Sequence, residues 1–361
     1  MADRQDEAGD IPSTLGELHR AYESTLPEGA LAYYSGGAAD ELTLVGNECA
    51  WRERTLRPLV MVDVSERDSS VEVLGRKLPL PFGVAPTAYH RLAHPEGEEA
   101  MARGAAAAGC PYTLSTLATT RPEAVAEAAP DAVKWFQVYV FRDRGVTRDL
   151  VEEATRCGFE ALLLTVDLPV LGRRDREIAT GFVIGDAEGV PGVHAAGGSG
   201  LISMQDTADL IDPSLTWDDV EELASWSSLP VLVKGVLRPD DARRALEAGA
   251  AGVVVSNHGG RQLDGVLATA DALGPIVEEV GEESTVMVDG GIRRGADVAR
   301  ALIMGADAVL IGRPCLWGLA AGGAEGVERV LTIFADEFDR ALALLGVPSA
   351  GELRGRLDLI A

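Results

Sequence analysis

Short apolar runs alternate with longer, charged stretches along most of this chain, from about residue 81 to residue 345. The apolar runs have the length and β-branched content of buried strands, and the longer stretches repeat their apolar positions at helical spacing. The predicted strands cover 81–86, 112–116, 133–140, 161–167, 230–236, 252–258, 285–291 and 308–313. The predicted helices cover 96–109, 121–129, 145–157, 239–248, 269–281, 294–304 and 317–345. Eight alternating units of this kind predict a parallel sheet closed into a (β/α)8 barrel, the TIM barrel of the α/β class.

The N-terminal part of the chain departs from this alternation. Helical patterns at 14–26 and Glu28–Ser35 precede a β-type stretch at 70–78. The stretch is too short to build a core of its own, because a small sheet needs a partner surface. We therefore predict that residues 1–80 form an N-terminal helical and β cap on a barrel that occupies 81–361.

A second irregular interval follows the fourth predicted strand, between Asp167 and Pro230. It is rich in glycine from 181 to 203 and regains a helical pattern only near 216–226. Long loops in compact domains are usually functional or mobile. We predict a lid over the barrel mouth, partly disordered without ligand; the alternative is a tolerated surface insertion.

Composition narrows the class of partner. Of 361 residues, 57 are acidic and 32 basic, a formal net charge of −25. Such a chain lacks the clustered Lys and Arg that nucleic acid requires, and it repels an anionic membrane surface. Hydrophobic residues make up 47% of the chain, which is enough for a large core. We expect small-molecule partners, with no nucleic acid and no membrane.

Targeting and metal motifs are also missing from the sequence. The first 12 residues are acidic and polar, unlike a secretory signal peptide. Apolar runs stay well short of the ~20 residues that span a bilayer. The spacings of Cys49, Cys110, Cys157 and Cys315 match neither a zinc site nor a disulfide framework. These features predict a cytoplasmic protein without a metal site.

Cations concentrate at the ends of the predicted strands. In a (β/α)8 barrel, catalytic groups lie at the carboxyl ends of the strands. Five of these ends are followed closely by a cation, namely Arg174, Lys234, Arg261, Arg293 and Arg313. An unpaired buried cation is costly, so these cations need negatively charged partners. Their concentration at the strand ends of so acidic a chain predicts that the mouth of the barrel binds anions.

Two glycine-containing loops after the last two strands are typical of a phosphate site. Gly290 and Gly291 precede Arg293, and Gly312 precedes Arg313. Glycines let main-chain N–H groups approach an anion closely, and the loops after strands seven and eight are the usual phosphate site of this barrel. The last two units therefore predict a bound phosphate group.

Lys234 ends a mid-barrel strand and permits two interpretations. It is either a Schiff-base nucleophile or a fixed positive charge beside a ring that becomes anionic. With a phosphate already indicated, a flavin mononucleotide (FMN) fits the second interpretation, and Asp289 fits its ribityl hydroxyls. Side chains suited to the ring edge also lie at strand ends: Ser115, Gln137, Thr165 and Ser256.

The loop after the sixth predicted strand places a potential base near a fixed cation. His258 and Arg261 are three residues apart, directly beyond an apolar run. A guanidinium binds a carboxylate in a fixed orientation, and an imidazole accepts a proton near neutral pH. This pair predicts a site that holds a carboxylate and removes a proton from the atom beside it.

These motifs resemble the FMN-dependent 2-hydroxy-acid oxidase and dehydrogenase family, which includes glycolate, lactate and mandelate enzymes. The resemblance spans about residues 15–345. The matching motifs are Tyr33-Tyr34 with Gly36-Gly37 and Asp40-Glu41, Ala85-Pro86-Thr87-Ala88, His94-Pro95-Glu96-Gly97-Glu98, Phe136-Gln137-Val138-Tyr139, Thr165-Val166-Asp167, Gly172-Arg173-Arg174, Leu232-Val233-Lys234-Gly235, the segment around His258, Asp289-Gly290-Gly291-Ile292-Arg293 and Ile311-Gly312-Arg313-Pro314.

The resemblance implies the catalytic residues. His258 takes the substrate proton, and Asp167 pairs with the imidazolium that forms. Tyr33 and Tyr139 hydrogen-bond the carboxylate and the reacting oxygen. Whether the hydrogen on C2 leaves as a hydride or as a proton stays open.

The resemblance also implies the binding residues. Arg261 and Arg174 clamp the substrate carboxylate, and Leu117 lies beside the substrate side chain, where a leucine favours a medium or aromatic group. The residues implied to bind FMN are Ala85, Pro86, Thr87, Ala88, Ser115, Gln137, Thr165, Lys234, Ser256, Asp289, Gly290, Gly291, Arg293, Gly312 and Arg313.

Several reactions remain open at this point. The first expectation is oxidation of a lactate- or mandelate-like (S)-2-hydroxy acid to the 2-oxo acid, with O₂ reduced to hydrogen peroxide. The alternatives are a dehydrogenase with a quinone or protein acceptor, a lactate 2-monooxygenase-type oxidative decarboxylation, and a phosphate-binding barrel isomerase. The Gly-rich interval 181–214 is neither basic nor amphipathic, which favours O₂. By resemblance we expect a homo-oligomer, a tetramer or octamer.

Overall fold

The computed structural model describes residues 11–361, and its first elements stand outside the barrel. Residues 1–10, on which most of the signal-peptide prediction rests, lie outside the described range. The N-terminal elements are α1 (Leu15–Thr25), α2 (Glu28–Ser35), α3 (Leu42–Glu53) and the antiparallel hairpin strands β1 (Val71–Val73) and β2 (Arg76–Leu78).

Helix α3 is absent from the sequence prediction, for a physical reason. Its first residues follow Glu41, which adopts a left-handed conformation (φ 62°) and makes no side-chain cap. The helix also contains Gly46, and its buried face is partly polar because it carries Thr43 and Asn47. The segment therefore has neither the capping residue nor the apolar stripe from which a helix is predicted.

Eight parallel strands form a closed barrel, as predicted. Their circular order follows the chain, and each buries both faces, as expected of parallel sheets. A further antiparallel pair, β7 with β8, stands apart from it. The strands after the hairpin are β3 (Phe82–Val84), β4 (Tyr112–Ser115), β5 (Lys134–Val138), β6 (Ala161–Thr165), β7 (Gly185–Asp186), β8 (Leu201–Ile202), β9 (Val231–Val236), β10 (Gly252–Val255), β11 (Thr285–Val288) and β12 (Ala308–Ile311).

Most of the predicted strands are too long at their carboxyl ends. Strand β10 ends at Val255 and β11 at Val288, each three residues earlier than predicted. Just beyond these ends, His258 (φ 58°), Gly290 (φ 88°) and Gly291 (φ 78°) adopt left-handed conformations, which an extended strand does not allow. These residues therefore lie in loops above the barrel.

The helices predicted around the barrel are all present, with ends that differ by a few residues. Helix α14 begins four residues earlier than predicted and changes direction at Gly322–Gly323, where Gly323 has φ 56°. Among the helices of residues 11–361, none combines the length and apolar content needed to cross a bilayer. The helices after α3 are α4 (Gly97–Ala107), α5 (Pro122–Ala128), α6 (Arg144–Arg156), α7 (Asp175–Thr180), α8 (Pro191–Ala195), α9 (Met204–Leu210), α10 (Asp218–Trp226), α11 (Pro239–Glu247), α12 (Thr269–Val280), α13 (Gly295–Ile303), α14 (Arg313–Leu345) and α15 (Ala350–Leu353), with 3₁₀ turns at His90–Leu92, Ala187–Gly189 and Leu357–Leu359.

The interval between β6 and β9 is more regular than predicted. Besides the expected helix α10, it contains α7, α8 and α9. The signals were present in the sequence, because Ser203 and Asp206 form a capping box at α9 and Pro191 opens α8. The role of this interval as a lid stays a prediction, and so does a domain boundary at residue 80.

The inside of the barrel is filled by apolar side chains. In β6, Leu163 belongs to the inner cluster, whereas Leu162 and Leu164 pack with the surrounding helices. Val73 and Leu78 of the hairpin β1–β2 pack into the same inner cluster. Because the interior is packed and one end is closed by the hairpin, the loops at the carboxyl ends of the strands are left to form a cavity.

Two leucines of α14 allow a matched test of this packing. Leu342 is fully buried (0% exposed), whereas Leu344 on the same helix is 69% exposed. We expect Leu342→Ala to lower the free energy of unfolding by about 2–5 kcal/mol through lost burial and a cavity. Leu344→Ala should change it by less than about 0.5 kcal/mol. Chemical denaturation monitored by circular dichroism measures both, and equal effects would contradict the described packing.

Candidate active site

One cavity at the carboxyl ends of the barrel strands gathers most of the predicted site. The loops after seven of the strands contribute to it, together with Lys234 from within β9, α2 and the interval between β6 and β9. The predicted residues that line it are Tyr33, Ala85, Pro86, Thr87, Ala88, Ser115, Leu117, Gln137, Tyr139, Thr165, Arg174, Lys234, His258, Arg261, Asp289, Gly290, Gly291, Arg293, Gly312 and Arg313.

The imidazole of His258 is held between a carboxylate and a phenol. Its Nδ1 lies 3.0 Å from Asp167 Oδ1, and its Nε2 lies 3.4 Å from the Tyr139 hydroxyl. Burial lowers the pKa of His258 below its ordinary value, although the Asp167 carboxylate opposes this shift. The ring is therefore neutral near pH 7, with Nδ1–H donated to Asp167 and the Nε2 lone pair available as a base.

Asp167 is placed behind His258 and does not line the cavity itself. Burial raises the pKa of its carboxyl, but His258 and Lys234 outweigh burial, so the pKa lies below its ordinary value. Gly235 (φ 110°) makes this position possible, because a Cβ there would come within 2.7 Å of Asp167 Cβ. The carboxylate is thus ionised and fixed against the imidazole.

Ser256 does not line this cavity directly, and its contact with the flavin ring stays a prediction. Its side chain is fully buried under the loop that carries His258. Its hydroxyl oxygen accepts a hydrogen bond from Lys234 Nζ at 2.9 Å and one from the His258 main-chain N–H at 3.1 Å. Ser256 therefore positions the lysine and the histidine from below.

Two arginines and a tyrosine line another part of the cavity. Arg174 precedes α7, and its Nε donates to the main-chain oxygen of Arg261 at 3.2 Å. The Arg261 guanidinium lies 4.8 Å from the ring centre of Tyr33 and donates to the main-chain oxygens of Tyr33 and Gly36. Both guanidinium groups face the cavity in fixed orientations, which suits a bound carboxylate.

Glu177 is a charged neighbour that the sequence analysis missed. It lies in α7, is buried, and accepts hydrogen bonds from both Arg174 and Arg261 at 3.4 Å. Its spacing from Arg174 would suit a helical ion pair, but the sequence gives no sign that the residue is buried.

Hydrogen bonds join the polar side chains that line the cavity at the ends of β4, β5 and β6. Gln137 Oε1 accepts from the Ser115 hydroxyl at 3.0 Å, and Gln137 Nε2 donates to the Thr165 hydroxyl at 3.0 Å. Lys234 Nζ forms a buried ion pair with Asp289 Oδ2 at 3.0 Å. Burial lowers the pKa of Lys234, but the Asp289 carboxylate and Asp167 outweigh it, so the pKa lies above its ordinary value and the ammonium stays charged.

Arg293 and Arg313 also line the cavity, and their environments differ. Arg293 pairs with Glu48 of α3 at 2.9 Å. Arg313 donates to the main-chain oxygens of Tyr34, Gly36 and Gly259. Burial, reinforced by nearby arginines, lowers the pKa of Arg313 to about 9. A bound anion would relieve both the burial cost and this repulsion.

Helix α3, which the sequence did not predict, fixes two of the site loops. The Asn47 amide exchanges two hydrogen bonds of 2.8 Å with the amide of Asn257, next to His258. Trp51 Nε1 donates to the Gly290 carbonyl at 2.8 Å. A Cβ on Gly291 would come within 2.5 Å of the Asn47 main chain. The glycine pair is therefore required by the packing of α3, and ligand approach alone does not explain it.

Some cavity residues were given no functional role from the sequence. Tyr34 lines the cavity beside Tyr33, and its hydroxyl donates to the Tyr89 carbonyl at 2.6 Å. Leu168 and Met204 contribute apolar walls from the interval between β6 and β9. The contacts of these side chains depend on loop conformations that periodicity does not encode.

Comparison with known proteins identifies the family. Residues 22–358 match the family model for FMN-dependent dehydrogenase. The chain is 48% identical over 347 residues to an L-lactate oxidase from Nostoc sp., covering 93% of this chain and 94% of that protein. It is 45% identical over 353 residues to glycolate oxidase 1 from Zea mays, covering 96% and 95%. The chain belongs to the FMN-dependent dehydrogenase family.

Solved structures agree with this assignment. A mandelate oxidase variant with (S)-mandelic acid matches with a TM-score of 0.86 and 41% identity, over 95% of this chain and 97% of that chain. The same mandelate oxidase variant, solved with a hydroxylated FMN adduct, matches with a TM-score of 0.85 and 41% identity, over 94% of this chain and 97% of that chain. The barrel is thus that of an FMN-dependent family, and FMN is the cofactor.

The residues at the barrel mouth fit FMN. Asp289 Oδ1 is buried and has no hydrogen-bond partner among residues 11–361, so it is available to a ribityl hydroxyl. The Arg313 guanidinium, held by main-chain carbonyls, suits the phosphate. Lys234 supplies a buried positive charge beside Gln137 and Thr165, as expected for the edge of the ring.

Arg313 therefore provides a test of cofactor retention. Replacing it by Met removes charge-assisted hydrogen bonds worth about 1.5–3 kcal/mol each. We expect Arg313→Met to raise the dissociation constant of FMN at least ~10-fold, measured from the fluorescence of free flavin after ultrafiltration. Arg148→Met is the matched control, because Arg148 is exposed on α6 and pairs only with Glu152 at the surface. Equal affinities in the two variants would remove Arg313 from the phosphate site.

Proposed function

We propose that this protein oxidises an (S)-2-hydroxy acid to the 2-oxo acid, using FMN and O₂ and releasing hydrogen peroxide. One observation carries the proposal. A neutral, carboxylate-supported imidazole and two guanidinium groups line the same cavity as the residues that fit FMN. A 2-hydroxy acid suits this arrangement, because it carries a carboxylate for the guanidinium groups and, on the next carbon, a hydroxyl whose proton the imidazole can accept.

The arginines and tyrosines bind and orient the substrate. Arg174 and Arg261 hold the carboxylate, each through charge-assisted hydrogen bonds of about 1.5–3 kcal/mol. Burial raises the pKa of both Tyr33 and Tyr139, so both phenols stay protonated and act as donors to substrate oxygens. The 2-hydroxyl is thereby directed towards His258.

His258 accepts the hydroxyl proton at Nε2. The Nδ1–H bond to Asp167 fixes the tautomer, and the Asp167 carboxylate stabilises the imidazolium that forms. General-base catalysis of this kind contributes about 10²–10⁴-fold. When bound, FMN supplies the two-electron acceptor that is later reoxidised by O₂. Lys234, held by Asp289, would supply a fixed positive charge to stabilise the reduced, anionic ring.

The oxidase assignment is favoured over the other reactions. Relatives that cover almost the whole chain are named lactate oxidase and glycolate oxidase. Neither of these relatives is named for a quinone or protein acceptor, and an isomerase has no use for a carboxylate clamp beside a base.

Assembly and compartment complete the proposal. Val170 (69% exposed) and Leu263 (73% exposed) line one apolar groove, and Leu42 nearby is also exposed. Exposed apolar patches of this kind are typical of subunit interfaces. We place the protein in the cytoplasm as a homo-oligomer, a tetramer or octamer.

An anaerobic titration tests the reaction. Addition of (S)-lactate or (S)-mandelate without air should bleach the visible absorbance of the bound flavin, and air should restore it with formation of hydrogen peroxide. Very slow recovery would instead support a dehydrogenase. Absence of bleaching with every 2-hydroxy acid tried would contradict the proposal.

The role of His258 is tested in the same experiment. His258→Gln should retain FMN yet bleach at least ~10²-fold more slowly, because the general base is missing. His194→Gln is the matched control, since His194 is exposed in α8. A His258→Gln rate within a factor of a few of the wild type would exclude His258 as the base.

Leu117 tests the size of the substrate side chain. It is buried and lines the cavity. Leu117→Trp should shift preference towards small acids by about 1–3 kcal/mol, expressed as the ratio of kcat/KM for glycolate to that for mandelate. Leu117→Met, which conserves volume, should leave the order unchanged. An unchanged order in the tryptophan variant would remove Leu117 from substrate selection.

A further inference from the structure

The substrate-side arginines share one carboxylate, that of Glu177. Its Oε1 lies 3.4 Å from Arg174 Nη1 and 3.4 Å from Arg261 Nη2. Glu177 is 7% exposed and Arg174 is 4% exposed. Because buried charges interact strongly and are poorly screened, these three side chains form one electrostatic unit, which we call the clamp triad.

Glu177 lies behind the arginines. Arg174 and Arg261 both line the cavity, but Glu177 does not. Its carboxylate therefore offsets one of the two positive charges without occupying the position of a bound anion. The clamp triad presents the donors of two guanidinium groups with a net charge of +1.

The other ionisable groups nearby are either compensated within the protein or assigned to the cofactor. Arg313, which donates to the same Gly36 main-chain oxygen as Arg261, is the residue proposed to bind the FMN phosphate. Lys234 is paired with Asp289 at 3.0 Å, and His258 is hydrogen-bonded to Asp167 at 3.0 Å. The walls contributed by Leu117, Leu168 and Met204 are apolar. The first carboxylate of a substrate would thus neutralise the single excess positive charge of the clamp triad. A second carboxylate would find no further positive charge to pair with.

We infer that Glu177 is a specificity-determining residue that restricts this enzyme to 2-hydroxy acids with a single carboxylate. The inference rests on the proposed function and deepens it. A monocarboxylate balances the net +1 of the clamp triad. A dicarboxylate leaves one buried negative charge without a partner, which is strongly unfavourable. Neutralising Glu177 raises the net charge to +2 and removes this discrimination.

The test compares two acids of the same shape. Malate carries two carboxylates, and β-malamate replaces the one remote from the hydroxyl-bearing carbon by a neutral amide. The readout is the ratio of kcat/KM for β-malamate to kcat/KM for malate, with the (S) enantiomers. The wild type should prefer β-malamate by at least ~10-fold, since specificity is a difference of two affinities.

Two variants of Glu177 isolate the charge. Glu177→Gln keeps the shape and a hydrogen-bond acceptor but removes the charge, and it should lower the ratio at least ~10-fold. Glu177→Asp keeps the charge and should leave the ratio within about 3-fold of the wild type. An unchanged ratio in a Glu177→Gln variant that still oxidises β-malamate would overturn the inference.

A binding measurement extends the test to non-reacting ligands. Succinate and butyrate differ by one carboxylate, and their binding is followed by perturbation of the flavin spectrum. Glu177→Gln should increase the affinity for succinate relative to the affinity for butyrate at least ~10-fold. If the variant does not fold, the wild-type preference still decides, because a wild type that accepts malate as well as β-malamate overturns the inference. A wild type that oxidises no 2-hydroxy acid would instead contradict the proposed function.

Discussion

The structure depends on the burial of positive charge at the carboxyl ends of the barrel strands. Five cations lie there in a chain with a net charge of −25, and each one loses hydration on burial. Pairing within the protein compensates most of this cost. Lys234 pairs with Asp289, Arg293 with Glu48, and Arg174 and Arg261 share Glu177. What remains uncompensated defines where anions bind.

The acids that pair with these cations come from different layers of the fold. Asp289 follows a barrel strand, Glu177 belongs to the interval between β6 and β9, and Glu48 belongs to α3. The barrel positions the cations, while elements outside the barrel adjust their charge. This division is consistent with a scaffold whose packed interior is independent of the chemistry at its mouth.

The repeating strands and helices of the barrel could be predicted from the sequence, whereas an element that occurs once and packs through long-range contacts could not. All eight strands follow from apolar runs, because parallel strands bury both faces and leave a strong signal. Helix α3 left none, since its Asn47 and Trp51 make their key contacts with Asn257 and Gly290, more than 200 residues away in the chain. Such contacts depend on tertiary structure, which periodicity does not encode.

The same distinction applies within the site. Residues at strand ends were predicted because the barrel fixes which end faces the cavity, and all but Asp167 and Ser256 line it. Ser256 directly follows β10 and continues its inward face, because Val254 belongs to the inner cluster whereas Val253 and Val255 pack with the surrounding helices. Its side chain therefore lies inside the barrel, where its hydroxyl meets Lys234. Strand alternation predicts this inward direction, but it does not predict that the loop carrying His258 covers the side chain.

The cations of the cavity differ in how completely the protein compensates their charge. Arg174 and Arg261 share the buried carboxylate of Glu177, which leaves a single excess charge. Arg313 donates only to main-chain carbonyls within residues 11–361, and it shares one of them, that of Gly36, with Arg261. A phosphate, with its larger charge, suits the less compensated Arg313, and a carboxylate suits the pair that shares Glu177. The proposed positions of the cofactor phosphate and the substrate carboxylate thus follow from where the protein has placed its own carboxylates.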